Sequence, residues 1–199
     1  MFIELAEFLR CPTDDSEAYC VVVPDEMIGR TIVTGAIGCP TSQREYRIDN
    51  GIADFCPADP SFQWPAPTSE VSTDGQTVQA LLGLATPGGY VVVVGSAGVL
   101  AADLVERIGG VHLVALNPPD EVEPSSSVSV LRGPVPLPLR TSMARGVVVG
   151  REYAKEPWLS DTSRILLKGL RMVVLCEGVT VPGMQTVASG EGVWVGSRV

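Results

Sequence analysis

Residues 90–95 read Tyr-Val-Val-Val-Val-Gly, and this run constrains the fold more than any other. A strand sends successive side chains to opposite faces, so four consecutive valines bury both faces at once. Only the middle of a sheet covered on both sides provides that environment, and parallel sheets are built that way. The runs "VHLVALN" (111–117), "SVSVLRG" (127–133), "GVVVG" (146–150) and "RMVVLCEG" (171–178) repeat the pattern. Helical periodicity falls between them, in "QTVQALLGLA" (76–85), "VLAADLVERIG" (99–109) and residues 157–168. Strands alternating with helices predict an α/β unit with helices on both faces of a sheet. The final stretch, "QTVASGEGVWVGSRV" (185–199), predicts a closing strand or hairpin. Ligands of such sheets bind at the carboxyl ends of the first strands.

Residues 1–55 follow a different grammar. "MFIELAEFLR" reads as a short amphipathic helix or lead-in. "YCVVVPDEMIGRTIVTGAIGCP" reads as two β-rich runs broken at "PDE" and Gly29, a small antiparallel arrangement. Residues 56–75, "CPADPSFQWPAPTSEVSTDG", are rich in Pro, Ser, Thr and Asp and read as a semi-rigid connector. The expected organisation is therefore 1–55, a linker over 56–75, and 76–199.

Charge narrows the functions. The net charge is −9, and residues 1–60 hold 11 Asp/Glu against 4 Arg. Lys155 and Lys168 are the two lysines and the arginines are scattered, so the bulk charge argues against a basic face for phosphates, a local basic groove staying open, and nucleic acid is not an expected partner. No apolar run reaches the length of a membrane span, and the first residues lack the basic leader of a secretory signal. Five cysteines without regular spacing suit a reducing compartment, and a cytoplasmic location is expected. His112, the one histidine, lies in an apolar alternation and reads as a strand residue rather than a catalytic base.

"LRCPTDDSEAYCVVV…GAIGCPTSQREYRIDNGIADF" resembles the zinc-ribbon family typified by activator subunits of tRNA methyltransferases. The shared features are Cys11-Pro12, Cys39-Pro40 and the segment from Tyr46 to Phe55. In that pattern each Cys-Pro turn ends in a second cysteine; here those positions are Asp14 and Ser42. Serine is a poor zinc donor. Cys11, Asp14, Cys39 and Ser42 are read as remnant ligand positions, and the expectation is a metal-free, ribbon-shaped unit.

"LATPGGYVVVVGSAGVLAADLVERIG" resembles the opening of class I S-adenosylmethionine (SAM) methyltransferases. Pro87, Gly88, Gly89 and Gly95 match that family. The resemblance implies a Rossmann-like methyltransferase sheet, shortened here, with a cofactor site over Gly95, Ala97, Gly98 and Asn117. Its departures fall on that site. The family's strand aspartate is Val93, two loop glycines are Ala97 and Val99, the ribose-binding acid is Asn117, and two further aspartates are Pro134 and Arg145. Bulk at Ala97 and Val99 narrows a pocket that glycine would open. The turn "NPPD" (117–120) places Asp120 where amine methyltransferases carry a stacking aromatic, and reads as a proline turn. Trp64, Trp158 and Trp194 read as packing or interface residues.

The reading is a methyltransferase-like protein without catalytic residues or bound cofactor, acting as a binding or scaffolding protein, as a homodimer or with a protein partner. The alternative is an active SAM-dependent enzyme on a small molecule, since methyl transfer can proceed by orientation alone. A third reading, another nucleotide site at "GSAGVL", lacks the full Gly-x-Gly-x-x-Gly pattern.

Overall fold

The computed structural model describes residues 1–13, 18–56, 65, 71–84 and 86–199. Asp14 and most of the expected 56–75 connector, Trp64 included, lie outside the described residues. The elements run β1 (Val21–Ile28), β2 (Thr31–Gly38), β3 (Glu45–Asp49), β4 (Ile52–Asp54), α1 (Gly75–Leu82), β5 (Tyr90–Val94), α2 (Ala101–Ile108), β6 (His112–Leu116) and β7 (Val128–Arg132). They continue with β8 (Ala144–Val149), α3 (Trp158–Ile165), β9 (Leu166–Val174), β10 (Met184–Gly190) and β11 (Val193–Arg198). Short 3-10 helices cover Ile3–Phe8, Gly95–Leu100 and Arg151–Tyr153.

Among the described residues, eleven strands share one sheet, in the order β1-β2-β3-β4-β7-β6-β5-β8-β9-β11-β10. From β7 to β9 the pairing is parallel. With β5 as the first strand of this block, its order is 3-2-1-4-5, that of doubly wound α/β folds. β11 then returns antiparallel to β9, and β10 pairs with β11 at the far edge. β1 to β4 form an antiparallel meander, and β4 joins β7 in parallel, with Ile52 opposite Val130.

The valines of β5 behave as their pattern dictates. Val92 and Val94 face one core, with Val114, Leu116, the N-terminal Leu5 and α3's Trp158. Val91 and Val93 face the other, with Leu113, Val78 and Leu82 of α1 and Leu104 of α2. Burying one such valine contributes about 1.5–3 kcal/mol, so β5 anchors both layers.

Local sequence explains several boundaries. Asp74 caps α1 by accepting from the Thr77 N–H at 2.8 Å, and Gly83 closes it in the left-handed conformation. β1 is not interrupted at "PDE"; it runs through Pro24 with a bulge, and the turn falls at Gly29 and Arg30. Because β1 is an edge strand, the missing Pro24 N–H costs no ladder bond. The helix expected to reach 168 stops at Ile165, where Leu166 is already extended and opens β9. The β6–β7 connection, residues 117–127, carries no helix. Trp194 lies buried on β11 with its indole N–H donating to Thr186, a packing role. Among the described residues no helix is long and apolar enough to cross a membrane.

The N-terminus is sewn into this sheet. The Met1 amino group donates to Ile32 O and Gly51 O, each at 2.8 Å. The Phe2 N–H donates to Ser129 Oγ, which also meets His112 Nε2 at 2.9 Å, and the Phe2 ring stacks on the imidazole with centroids 4.3 Å apart. Burial, and secondarily the positive Met1 amino group, push the His112 pKa down to about 4. The imidazole is therefore neutral in the fold, while the unfolded chain takes up a proton near the ordinary value of 6.5. Between these values the unfolded state binds more protons, so stability falls as pH drops from about 6.5 toward about 4. Thermal melts across this window should show that slope, and His112→Gln, which keeps a polar group but cannot titrate, should flatten it.

Candidate functional site: a crevice closed by its own side chains

The strand order reverses direction between β5 and β8, and ligands of doubly wound sheets bind outside the carboxyl ends at such a point. Gly95 leaves β5 there at φ +63°, a conformation that favours glycine, and opens the buried turn Gly95–Leu100. Gly150 leaves β8 beside it, its N–H donating to Val94 O at 2.9 Å. The next residues, Glu152 and Tyr153, turn back over the β5 loop.

Glu152 accepts two bonds from Ser96. Its Oε1 takes the backbone N–H at 2.5 Å, and its Oε2 takes the hydroxyl at 2.8 Å. Tyr153 is 2% exposed and packs edge-on against Trp158, with centroids 4.7 Å apart. A Cβ added at Gly95 would collide with both Glu152 Oε1 and the Tyr153 ring. Burial first, and the Glu152 charge second, raise the Tyr153 phenol well above its ordinary range, so the hydroxyl stays protonated.

The β6 end is closed in the same way. Asn117, at φ +50°, donates through Nδ2 to Gly133 O and accepts through Oδ1 from Gly133 N–H, both at 2.9 Å. Pro118 lies over Gly98, where an added Cβ would come within 2.6 Å of Pro118 Cβ. Ala97 is fully buried in the α1/α2 core. Thus Gly95 lies under Glu152 and Tyr153, Gly98 under Pro118, Asn117 is bonded to Gly133, and Ala97 packs in the α1/α2 core. Beside Gly98 a cavity of about 400 Å³ is lined by Val99, Val105, Val122 and Val128, with Glu106 and Glu121 at its rim.

These residues do not fit SAM. No acidic side chain stands at Asn117 or Val93 to hold ribose hydroxyls, the backbone N–H at Ser96 already carries a carboxylate, and Tyr153 covers the glycine. Arg145, at an expected aspartate position, braces the loop into β5 instead. It donates to Thr86 O at 2.9 Å, Pro87 O at 3.0 Å and Gly88 O at 2.5 Å. Asp120 of the "NPPD" turn points to solvent and pairs with Arg132 at 2.9 Å. Sequence reasoning missed Glu152 and Tyr153. The available signal was their place in "VVVGREY", directly after an apolar strand, where doubly wound sheets put their ligand-facing loops.

The second cluster is the ribbon-like turn pair. Cys11, Cys20 and Cys39 are buried free thiols. Cys11 Sγ meets Thr13 Oγ1 at 3.1 Å, Ser42 Oγ at 3.2 Å and Tyr46 OH at 3.5 Å. Cys39 Sγ accepts from the Ser42 N–H at 3.4 Å. Burial alone would raise the Cys11 thiol, but the hydroxyls of Ser42, Thr13 and Tyr46 outweigh it and bring its pKa down to about 7. Burial and the neighbouring Cys11 and Cys39 push Cys20 up to about 12. Among the described residues, no group of three or more Cys, His, Asp or Glu is arranged to hold a metal. The described neighbours of Cys11 Sγ are hydroxyls, which are poor zinc donors, and Asp14 lies outside the described residues.

No protein-family model and no curated protein matches the chain. Among solved structures, the chain is similar to a protein from Galdieria sulphuraria assigned as a sarcosine dimethylglycine methyltransferase, at 15% identity and TM-score 0.40, over 50% of this chain and 44% of that one. It therefore spans less than half of that protein's length. It is also similar to geranyl diphosphate methyltransferase in complex with SAM, at 10% identity and TM-score 0.48, over 63% of this chain and 84% of that one. A third is an S-adenosyl-L-methionine methyl transferase from Silicibacter pomeroyi DSS-3, at 13% identity and TM-score 0.45, over 63% and 88%. All three are named as methyltransferases, two of them with S-adenosylmethionine, and the likeness is a partial one of backbone fold.

Gly95→Ala tests how tightly the crevice is closed. The added methyl should cost about 1–3 kcal/mol by overpacking, on top of the unfavourable positive φ. In a Tyr153→Ala background the same change should cost less, a coupling that a double-mutant cycle in urea will read.

Proposed function

We propose that this chain is a class I methyltransferase-like protein that has lost SAM-dependent turnover and acts by binding or scaffolding. The observation that carries the reading is the pair Glu152 and Tyr153, seated on Ser96 and Gly95 at the mouth of the crevice. The parallel order 3-2-1-4-5 followed by a terminal antiparallel hairpin supports the methyltransferase ancestry, together with the matches at Pro87, Gly88, Gly89 and Gly95. On this reading residues 1–55 descend from a zinc ribbon that gave up its metal and now lean on the sheet, and residues 76–199 are a shortened methyltransferase domain. The substitutions at Val93, Ala97, Val99, Asn117 and Pro134 then share one cause, a site relieved of its cofactor. Fold is retained where chemistry is not.

Isothermal calorimetry with SAM and with S-adenosylhomocysteine should give no binding in the micromolar range; a micromolar Kd for either sinks the reading. A binding role also needs a surface, and both ends of the sheet are open strands. β1 exposes Val21, Val23 and Ile28, and β10 exposes Val187. On this reading the partner is a second copy of the chain or another protein pairing at an edge. Sedimentation equilibrium should give a dimer for the purified chain, and a monomer at high concentration would remove the self-association arm.

A further inference from the structure

The β6–β7 connection breaks the pattern of the parallel block. Neighbouring parallel strands are joined by right-handed crossovers, usually helices that cover the sheet. α2 makes that crossover between β5 and β6, but residues 117–127 return to β7 without a helix. Successive right-handed crossovers stepping one way across a sheet stay on one face, so the omitted helix would lie beside α2. That place holds the cavity of about 400 Å³ next to Gly98. Val99 and Val105 form one wall, Val122 and Val128 the other, and all but Val128 are only half-buried. Ala102 faces the same groove and is exposed. An apolar flank of α2 is thus left without the neighbour that this fold normally gives it.

Charge decides what can cover the groove. Glu106 stands on one side, Glu121 and Glu123 on the other, all exposed and none in a salt bridge among the described residues. Among those residues no Lys or Arg lines the groove. An apolar surface entering here must bring positive charge, since like charges across an interface repel. The chain itself has no such surface to offer. α1 carries no charged residue, Arg107 of α2 is paired with Asp103, and Arg164 of α3 is held by Asp161 and Leu139 O. Residues 57–70 contain Asp59 and Glu70 and no basic residue.

We infer that the groove docks a basic amphipathic helix of another protein, seated where the fold omits its own. The helix inserts apolar residues spaced i, i+3 or i+4 and i+7 between the valines. Its flanking Lys or Arg side chains meet Glu106, Glu121 and Glu123. The inference rests on the binding reading above and gives it a second surface, at the middle of the sheet rather than at the β1 and β10 edges.

The probe is a displayed library of helical peptides, panned against the full-length protein. Enriched peptides should share the apolar spacing, carry Lys or Arg beside it, and bind less tightly as salt is raised. Ala102→Lys sits at an exposed helix position and should weaken them at least about tenfold, as should Glu121→Lys combined with Glu123→Lys. Val187→Lys, on the β10 edge, should leave them unchanged. Circular dichroism checks that each variant keeps the parent fold. No enrichment, enrichment of acidic flanks, or binding that survives Ala102→Lys and fails in Val187→Lys overturns the inference. A homodimer dissociated by Ala102→Lys also overturns it, by making a second copy the occupant. Calorimetry with SAM reads the other claim separately. Micromolar SAM binding sinks the loss of turnover whatever the groove does, and an empty panning result without SAM binding sinks this inference alone.

Discussion

Val91 to Val94 leave a folding chain few choices, because no strand with apolar side chains on both faces can lie at a surface. Two layers must form at once. One recruits α1 and α2 through Val78, Leu82 and Leu104. The other recruits the N-terminal turn and α3 through Leu5, Leu9 and Trp158. That second layer explains how the first residues of the chain come to share a core with the last helix. Met1 is fully buried, and its amino group is held by carbonyls of β2 and of the β3–β4 turn. The N-terminal strands are therefore bound by a continuous ladder, β4 to β7, and by a common core.

The same constraint bears on the crevice. β5 and β8 pair side by side, so the loops leaving their carboxyl ends meet over the sheet. In a ligand-binding version of this architecture, glycines keep that meeting loose enough for a cofactor. Here the loop after β8 turns inward. Its carboxylate satisfies the Ser96 N–H, and its aromatic ring fills the volume above Gly95. The closure is self-consistent. Glu152 takes the Ser96 backbone donor, and Asn117 spends its amide on Gly133.

The two halves differ in what was legible beforehand. The parallel block could be read strand by strand, because fully apolar runs admit one environment. An antiparallel pairing of the first two β-rich runs, and a terminal strand or hairpin, were also expected from turn and strand signals, whereas β3 and β4 were not. The joining of β4 to β7 could not be read, since Ile52 to Asp54 is a three-residue strand with no pattern of its own. The continuity of β1 through Pro24 escaped for a similar reason. Proline argues against a strand unless the strand lies at an edge, and edge position is a property of the assembled sheet.

At the sites the division is sharper. The sequence by itself determined that the positions expected to hold a cofactor were apolar, or uncharged as in Asn117, and that the two Cys-Pro turns lacked their second cysteines. Those are statements about residue type, and type is local. Only the tertiary structure decided what replaced the missing groups. Glu152 and Tyr153 close a crevice whose other wall lies more than fifty residues away in sequence, and Ser42 and Tyr46 supply hydroxyls to a thiol thirty residues before them. Side-chain direction over such separations is set by strand pairing and core packing. No spacing rule along the chain carries that information.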